Sequence, residues 1–465
     1  METALWQRGT SALGLLSMVG IAWLMSSRRD RVPWRVIGWG LGLQIIFGVL
    51  VLKTTPGLWL FELLNVVMVT LLGFTDEGAR FVFGPYLDKE FSLALNVLPT
   101  IVFFSSLMAV LYHLRVMQPL VAAMARVMQR TMGCSGPESL SAAANIFVGQ
   151  VEAPLVIRPF IRSLSRSELN AIMVGGFATV AGGVMAAYVG MLRGAFPDIA
   201  GHLIAASVMS APAALVVSKV MLPETERTDA GEPVQPQESN RSANVLDAAA
   251  VGARDGLMLA LNVAAMLVAF LGLVALLNYL MALPALLHNQ ESWALVREAL
   301  IGAGGTLPKG CEAPDRAAEL AACVRQVGPA AGVSVDVASA WEPWSMQHIL
   351  GWLMWPMALL IGIAPADCTV VAELLGEKLV LNEFVAFLSL QKAMAAERLS
   401  DPRSIVLASY ALCGFANFGS IAIQIGGISG IAPERRGDLA TLGLRAMLGG
   451  TLAAMMTACV AGMLL

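Results

Sequence analysis

The sequence predicts an all-α polytopic membrane protein: eight transmembrane helices, two re-entrant helical hairpins and interfacial helices, with hairpin and broken helices arranged as an inverted repeat. Three observations predict it. Hydrophobic residues make up 57% of the 465 and charged residues 14%, against roughly 25% charged in soluble domains. Apolar runs recur at lengths near the ~20 residues a bilayer crossing needs. The stretch Pro137–Pro159, PESLSAAANIFVGQVEAPLVIRP, is apolar enough for a bilayer yet carries Asn145, Gln150 and Glu152 near its middle, with Gly149 and Pro154 beside them. Polar groups at membrane depth face a protein interior or a water-filled cavity and mark solute or ion pathways. A net charge of −3 gives no case for nucleic acid as a partner. The six cysteines lack metal-site spacing such as C-x-x-C, which argues against structural zinc.

Residues 4–26 and 36–52 are two apolar runs, the first read as a retained span because no small-residue cleavage site follows it. Between them SSRRDRVPWR holds Arg28, Arg29, Arg31 and Arg35, which belong in the cytoplasm by the positive-inside rule and place the N-terminus outside. Residues 57–74, with Trp59 near the start and Glu62 inside, suit a helix lying in the outer interface. Residues 92–114 cross inward. Arg126 and Arg130 on an amphipathic piece, then Arg158, Arg162 and Arg166, keep the following stretch on the cytoplasmic side, so the apolar segment between them is a hairpin. Residues 171–193 cross outward through GGFATVAGGV, whose glycines weaken helix continuity. Residues 201–221 return, PETERTDAGEPVQPQESNRS is a polar cytoplasmic loop, and 256–287 cross outward again.

Residues 288–345 interrupt the membrane pattern and lie outside, with EAPDRAAELAACVRQ as a short helix. Cys311 and Cys323 could bridge in an oxidising compartment or remain two thiols, since spacing does not fix connectivity. Residues 347–363 and 370–390, split by PADC and carrying Asn382 and Glu383, read as a second hairpin from the outer side. Residues 404–429 cross inward through CGFANFGS, PERRGD marks the cytoplasm, and 441–465 cross outward. The chain thus divides into scaffold spans (1–136), a first repeat (137–222), a loop and span (223–287), the outer insert (288–345) and a second repeat (346–465). Both termini are extracytoplasmic in this topology. Hairpin, broken span and span recur from opposite sides, the pattern of an inverted repeat whose site lies near the midplane.

The polar residues suit a solute with a sugar and a base. A carboxylate only accepts hydrogen bonds and a vicinal diol donates two, so a sugar fits Glu152 or Glu383. Gln150 offers a donor and an acceptor in one plane, matching an amide-like edge, and Asn417 and Ser420 could complete a ribose site. Asn145 and Thr179 suggest a hard cation, with Val148 and Val180 contributing only main-chain carbonyls. Each has a plainer alternative: Asn145 or Gln150 bonded to a neighbouring helix, a carboxylate paired with Arg158, Thr179 bonded back to its own helix. His113, His202, His288 and His348 read as interfacial.

SAAANIFVGQVEAPLVIRP, GGFATVAGGV, VLNEFVAF, CGFANFGSIAIQIGG and APERRGDLA, in that order, resemble the concentrative nucleoside transporter family across nearly the whole chain except 288–345. The resemblance implies a homotrimer of the inner (plasma) membrane that imports nucleosides with sodium, or in some members protons, and is not an enzyme. Carried over by position, it implies that Gln150, Glu152 and Val184 face the nucleobase and that Glu383, Phe415, Asn417 and Ser420 face the ribose. Asn145, Val148, Thr179 and Val180 match the sodium site. Val151 stands where a threonine usually follows the hairpin glutamine, so a base-side hydroxyl is lost. Proton coupling on Glu152 or Glu383 is the nearest alternative. An intramembrane enzyme using the two carboxylates as acid and base, or a passive channel, is a rival from another class.

Overall fold

The computed structural model describes residues 2–88, 92–226, 242–302, 311, 317–327, 341 and 343–465. Regular structure among them is helical. The first two apolar runs form α1 (Glu2–Leu24) and α2 (Trp34–Lys53). Among the described residues, seven helical stretches are long and apolar enough to cross a bilayer, by length and composition alone, and α2 is the first of them. The expected first span is absent from that set because Gln7, Arg8, Thr10, Ser11 and Ser17 dilute its hydropathy. Ser11 is buried and donates to Ile361 O at 2.7 Å.

The helix expected over 57–74 is longer: α3 runs Thr55–Phe83, and it too meets the length and hydropathy of a span. Glu62, Asp76, Glu77 and Arg80 lie along it, and Asp76 pairs with Arg193 at 3.0 Å. Next come α4 (Leu98–His113) and the amphipathic α5 (Met117–Met132), which buries Met117, Val121, Ala125, Met128 and Met132, spaced at helical period on one face. The polar-centred stretch is α6 (Gly136–Asn145), a turn over 146–151 and the short α7 (Glu152–Val156). The glycine-rich span is broken as expected, into α8 (Arg166–Ala178) and α9 (Gly182–Leu192), and α10 (Ile199–Met221) follows. Of PETERTDAGEPVQPQESNRS, residues 227–241 lie outside the described residues.

α11 (Val245–Gly302) extends well beyond the expected 256–287. The chain packs as two units, Met1–Ala265 with Leu353–Leu465, and Met266–Trp352. In the smaller unit, Trp293, Val296 and Leu300 pack with Leu320, Val324 and Val327 of α12 (Ala317–Val327). Cys311 and Cys323 form a disulfide there. Asn289 holds Trp341 through both its N–H and its C=O at 2.8 and 2.9 Å, and His288 stacks on the Trp341 ring. Residues 312–316 of the predicted short helix lie outside the described residues.

The second hairpin differs from the one expected. α13 (Met346–Ile361) is followed by α14 (Cys368–Val380) and α15 (Glu383–Ala395), and it is α14 and α15 that pack together. The tip is Leu381–Asn382, and PADC forms the mouth rather than the tip. Asp367 explains this, because it accepts from Ser400 N and Oγ at 2.8 Å and from Asp401 N at 3.1 Å, tying the two ends of the hairpin together. Burial pushes its carboxyl up, but these bonds more than offset that and hold it below the usual carboxylate range. The second broken span is α16 (Pro402–Leu412) and α17 (Phe418–Ile431), and α18 (Arg436–Leu464) ends the chain.

Hydrogen bonds define two ends of the larger unit. At one, Arg8 donates to Leu465 O at 2.8 Å, Gln7 to Asp401 at 3.3 Å, and Arg403 to Gly362 O at 2.8 Å and to Gly462 O. At the other, Arg435 donates to Arg162 O and Leu164 O at 3.1 and 2.6 Å, Ser27 N to Met221 O at 3.0 Å, and Lys219 pairs with Glu138 at 2.7 Å. The α6–α7 hairpin leaves and returns to the arginine-rich end, and α14–α15 to the end holding both termini. This opposed arrangement is the relation an inverted repeat requires. His202, expected at an interface, is instead buried between Phe61 and Phe196, its Nδ1 3.3 Å from the Tyr410 hydroxyl.

Tight packing at the second break depends on Gly414. Its φ of +134° is rarely adopted by other residues, and a Cβ there would sit 2.8 Å from Phe177 O and 2.9 Å from Ala178 O. Gly414→Ala should therefore destabilise the protein by at least about 2 kcal/mol. Thermal melting in detergent at the wild-type temperature would show that the break tolerates a side chain.

Candidate substrate and cation site

Four helix interruptions meet at the centre of the larger unit: the 146–151 turn, the α8/α9 break, the Leu381–Asn382 tip and the α16/α17 break. Backbone groups freed from helices must find partners inside a membrane protein, and here they find one another. Gly182 N donates to Phe147 O at 3.1 Å, Phe415 N to Thr179 O at 3.3 Å, and the Ser207 hydroxyl to Ile146 O at 3.0 Å. Asn382 caps α15 by accepting from Val385 N, and Asn417 caps α17 by accepting from Ser420 N, both at 2.9 Å. Asn417 Nδ2 donating to Glu383 brings the N-termini of α15 and α17 together, and Phe415 N donating to Thr179 O joins the start of α17 to the break before α9, where positive helix ends favour electronegative groups.

A single buried network crosses this centre. Glu383, first residue of α15, accepts from the Tyr188 hydroxyl at 3.0 Å and from Asn417 Nδ2 at 2.9 Å. Asn417 and Ser420 are joined through the cap, and Ser420 Oγ accepts from Gln150 Nε2 at 3.3 Å. Gln150 Oε1 accepts from Gln424 Nε2 at 3.1 Å, and Gln424 also donates to Met173 O at 3.1 Å. Of the expected substrate residues, Gln150, Glu383, Asn417 and Ser420 are thus connected, and Val184 and Phe415 are buried. Glu152 is exposed and takes no part in this network. Val151 is half-buried and packs on α17, where a Cβ at Gly427 would lie 2.6 Å from its Cγ1. Arg158 is exposed, and the bonds to Glu383 come from Tyr188 and Asn417.

The expected cation residues lie at two of the interruptions, Asn145 and Val148 at the 146–151 turn and Thr179 and Val180 at the α8/α9 break, which Gly182 N joins by donating to Phe147 O. Asn145 is fully buried, and neither its Oδ1 nor its Nδ2 has a hydrogen-bond partner. An orphaned amide at this depth is costly, and its oxygen suits a hard cation. Thr179 donates to Gly175 O at 2.9 Å, the plainer geometry foreseen for it, which leaves the hydroxyl oxygen's lone pairs available. Val180 is buried and Val148 half-buried, each with its carbonyl in an interrupted segment. An all-oxygen set without added charge fits sodium. Among the described residues no three of His, Cys, Asp and Glu gather as a metal site.

Three residues of the centre escaped the sequence reading. Tyr188 and Gln424 lie four residues after Val184 and Ser420, on the same helix faces, and that spacing was the available signal. Lys378 is buried in α14 and donates to Ala411 O at 2.9 Å, capping the end of α16.

Family models match most of the chain. The Na+ dependent nucleoside transporter C-terminus matches 202–303 and 317–462, its N-terminus matches 13–86, and a nucleoside recognition model matches 94–195. The chain belongs to the Na+ dependent nucleoside transporter family. An uncharacterized transporter of Haemophilus influenzae is 38% identical over 461 residues, 98% of this chain and 97% of that one. Solute carrier family 28 member 3 of Mus musculus is 38% identical over 97% of this chain. Human sodium/nucleoside cotransporter 1 is 37% identical over 98% of it. The chain spans 58% and 63% of those two mammalian relatives. Among solved structures, CNTnw in an inward-facing substrate-bound state aligns with a TM-score of 0.79 at 37% identity, over 98% of this chain and 97% of that one. A doubly substituted CNTnw in an outward-facing state also scores 0.79. Members of the Na+ dependent nucleoside transporter family are transporters, which removes the enzyme reading of Glu152 and Glu383.

Proposed function

We propose that this chain is a sodium-coupled importer of nucleosides. The observation that carries the reading is the buried network from Glu383 through Asn417 and Ser420 to Gln150, which sets a carboxylate at one end and an amide at the other. A ribose diol donates to Glu383, and Asn417, Ser420 and Phe415 complete that side. The base meets Gln150 and Val184, with Glu152 facing the open space next to them. Sodium is held by the Asn145 and Thr179 side-chain oxygens with the Val148 and Val180 carbonyls, across the joint between the hairpin turn and the α8/α9 break. Occupying that joint fixes the turn against the break and so aligns Gln150. Each sodium ion brings about 2.3 kcal/mol per 100 mV of membrane potential, enough for roughly fifty-fold accumulation. The chain sits in the plasma membrane with the arginine-rich end in the cytoplasm and assembles as a homotrimer, in keeping with the exposed apolar faces of α3 and α11.

Proteoliposomes test the reading. Labelled nucleoside should accumulate under an inward sodium gradient and fail to accumulate under a proton gradient without sodium. Asn145→Ala should lose at least about tenfold of the sodium stimulation. Accumulation driven by protons alone would move the coupling to a carboxylate, and mere equilibration would make the protein a passive channel.

A further inference from the structure

The amide groups of Gln150 and Gln424 look reversible on paper, since each carries a donor and an acceptor. The surroundings remove that freedom. Met173 O, a main-chain carbonyl, only accepts, so the end of Gln424 that meets it at 3.1 Å has to be Nε2. The same nitrogen lies 3.1 Å from Gln150, so its second hydrogen goes there and the Gln150 atom facing it has to be Oε1. Gln150 Nε2 is then turned toward Ser420 Oγ at 3.3 Å, with one hydrogen left over. Gly176 allows this convergence, because a Cβ there would lie 2.6 Å from Gln424 Nε2 and 3.0 Å from Gln150 Cβ. Gln424 is fully buried.

We infer that Gln424 is a positioning residue that fixes the hydrogen-bond polarity of Gln150, so that the base edge reaching Gln150 has to present an acceptor. The inference rests on the reading of Gln150 as the base-facing residue and adds a rule to it. Base carbonyl oxygens and unprotonated ring nitrogens are recognised at this point, whereas base N–H groups are not. Ser420, having accepted from Gln150, keeps its own hydrogen to donate toward the sugar.

The test uses the full-length protein in detergent with sodium and titration calorimetry. Two pairs of nucleosides serve as probes: uridine with 2-pyrimidinone riboside, and adenosine with purine riboside, the second of each pair having acceptors but no donors on its base. In Glu152→Ala, which removes the other acceptor placed beside the base, each analogue should bind within about threefold of its parent, because Gln150 draws on no base donor. In Gln424→Glu the group at this place meets Gln150 as an acceptor, whether the carboxylate is ionised or its proton is given to Met173 O. Gln150 then turns over and offers its oxygen. The donor-free analogue should become weaker than its parent by at least about tenfold.

A structural role alone would weaken both members of a pair alike and leave their ratio in place. An unchanged ratio in Gln424→Glu with the parent still bound would overturn the inference. So would an analogue already tenfold weaker than its parent in Glu152→Ala alone, an arm that holds even if the Gln424 variant does not fold. Failure of all four nucleosides to bind the wild type would instead overturn the nucleoside reading, and this inference with it.

Discussion

Glu383→Gln is expected to cut nucleoside uptake at least about a hundredfold while leaving expression and oligomer size in detergent unchanged. The carboxylate accepts from Tyr188 and Asn417 and still has lone pairs for a sugar diol. Hydrogen bonds to a charged group are worth about 1.5–3 kcal/mol each, so two from a diol account for a hundredfold or more. Glutamine keeps the shape and one oxygen, but its NH2 either meets Asn417 Nδ2 as a donor–donor contact or forces the Tyr188 hydroxyl to turn and accept, and the charge that holds the diol is gone. Uptake within a few-fold of wild type, measured with labelled nucleoside in proteoliposomes, would take Glu383 out of the site.

The largest expected effect on stability lies at the arginine-rich end. Lys219 and Glu138 are both buried and 2.7 Å apart, and Lys219 also reaches Ser167 Oγ at 3.1 Å and Glu224 at 3.4 Å. Glu138 does double service, since it also accepts from Ser135 N at 2.6 Å in the capping box that starts α6. Lys219→Met leaves a buried carboxylate without its cation, a change that costs about 3–5 kcal/mol, and should lower the melting temperature in detergent by about 5 °C. Adding Glu138→Gln should restore much of the loss by removing the stranded charge. If the single variant melts with the wild type, the pair does not hold the hairpin base. Glu224 responds too: burial pushes its carboxyl up, but the Ser165 hydroxyl and Lys219 hold it below the usual range.

Both helix breaks were legible because their chemistry is local. Gly182, Gly183, Gly414 and Asn417 weaken or cap a helix whatever surrounds them, and arginine clusters mark one end of the bundle by themselves. The second hairpin was misplaced for a reason equally local. Pro365 and Asp367 carry a turn signal that the Leu381–Asn382 tip lacks, and only the Asp367 bonds to Ser400 and Asp401 reveal that the signal belongs to the mouth. At the site, Glu383, Asn417 and Ser420 stood out as polar residues in apolar runs. Gln424 is not among them, because its role depends on Met173 and Gln150, far away in sequence. The contact of Val151 with Gly427 is not legible, because nothing in its own segment tells that Gly427 leaves a hollow for it. The disulfide was open for the same reason, since only the packing around Trp293 and Leu320 brings the two thiols together.

The long reach of the central network has a consequence for how the protein is made. Gln150 meets Ser420 and Gln424, 270 and 274 residues further along the chain. At the ~5–20 residues per second of synthesis, the first hairpin reaches the translocation machinery roughly 15–50 s before the segment that completes it. During that interval the Gln150 amide has no partner from the second half. The early hairpin must therefore be sheltered by water or by a chaperoning protein rather than released into lipid, and biogenesis of the first repeat ends only when the second arrives.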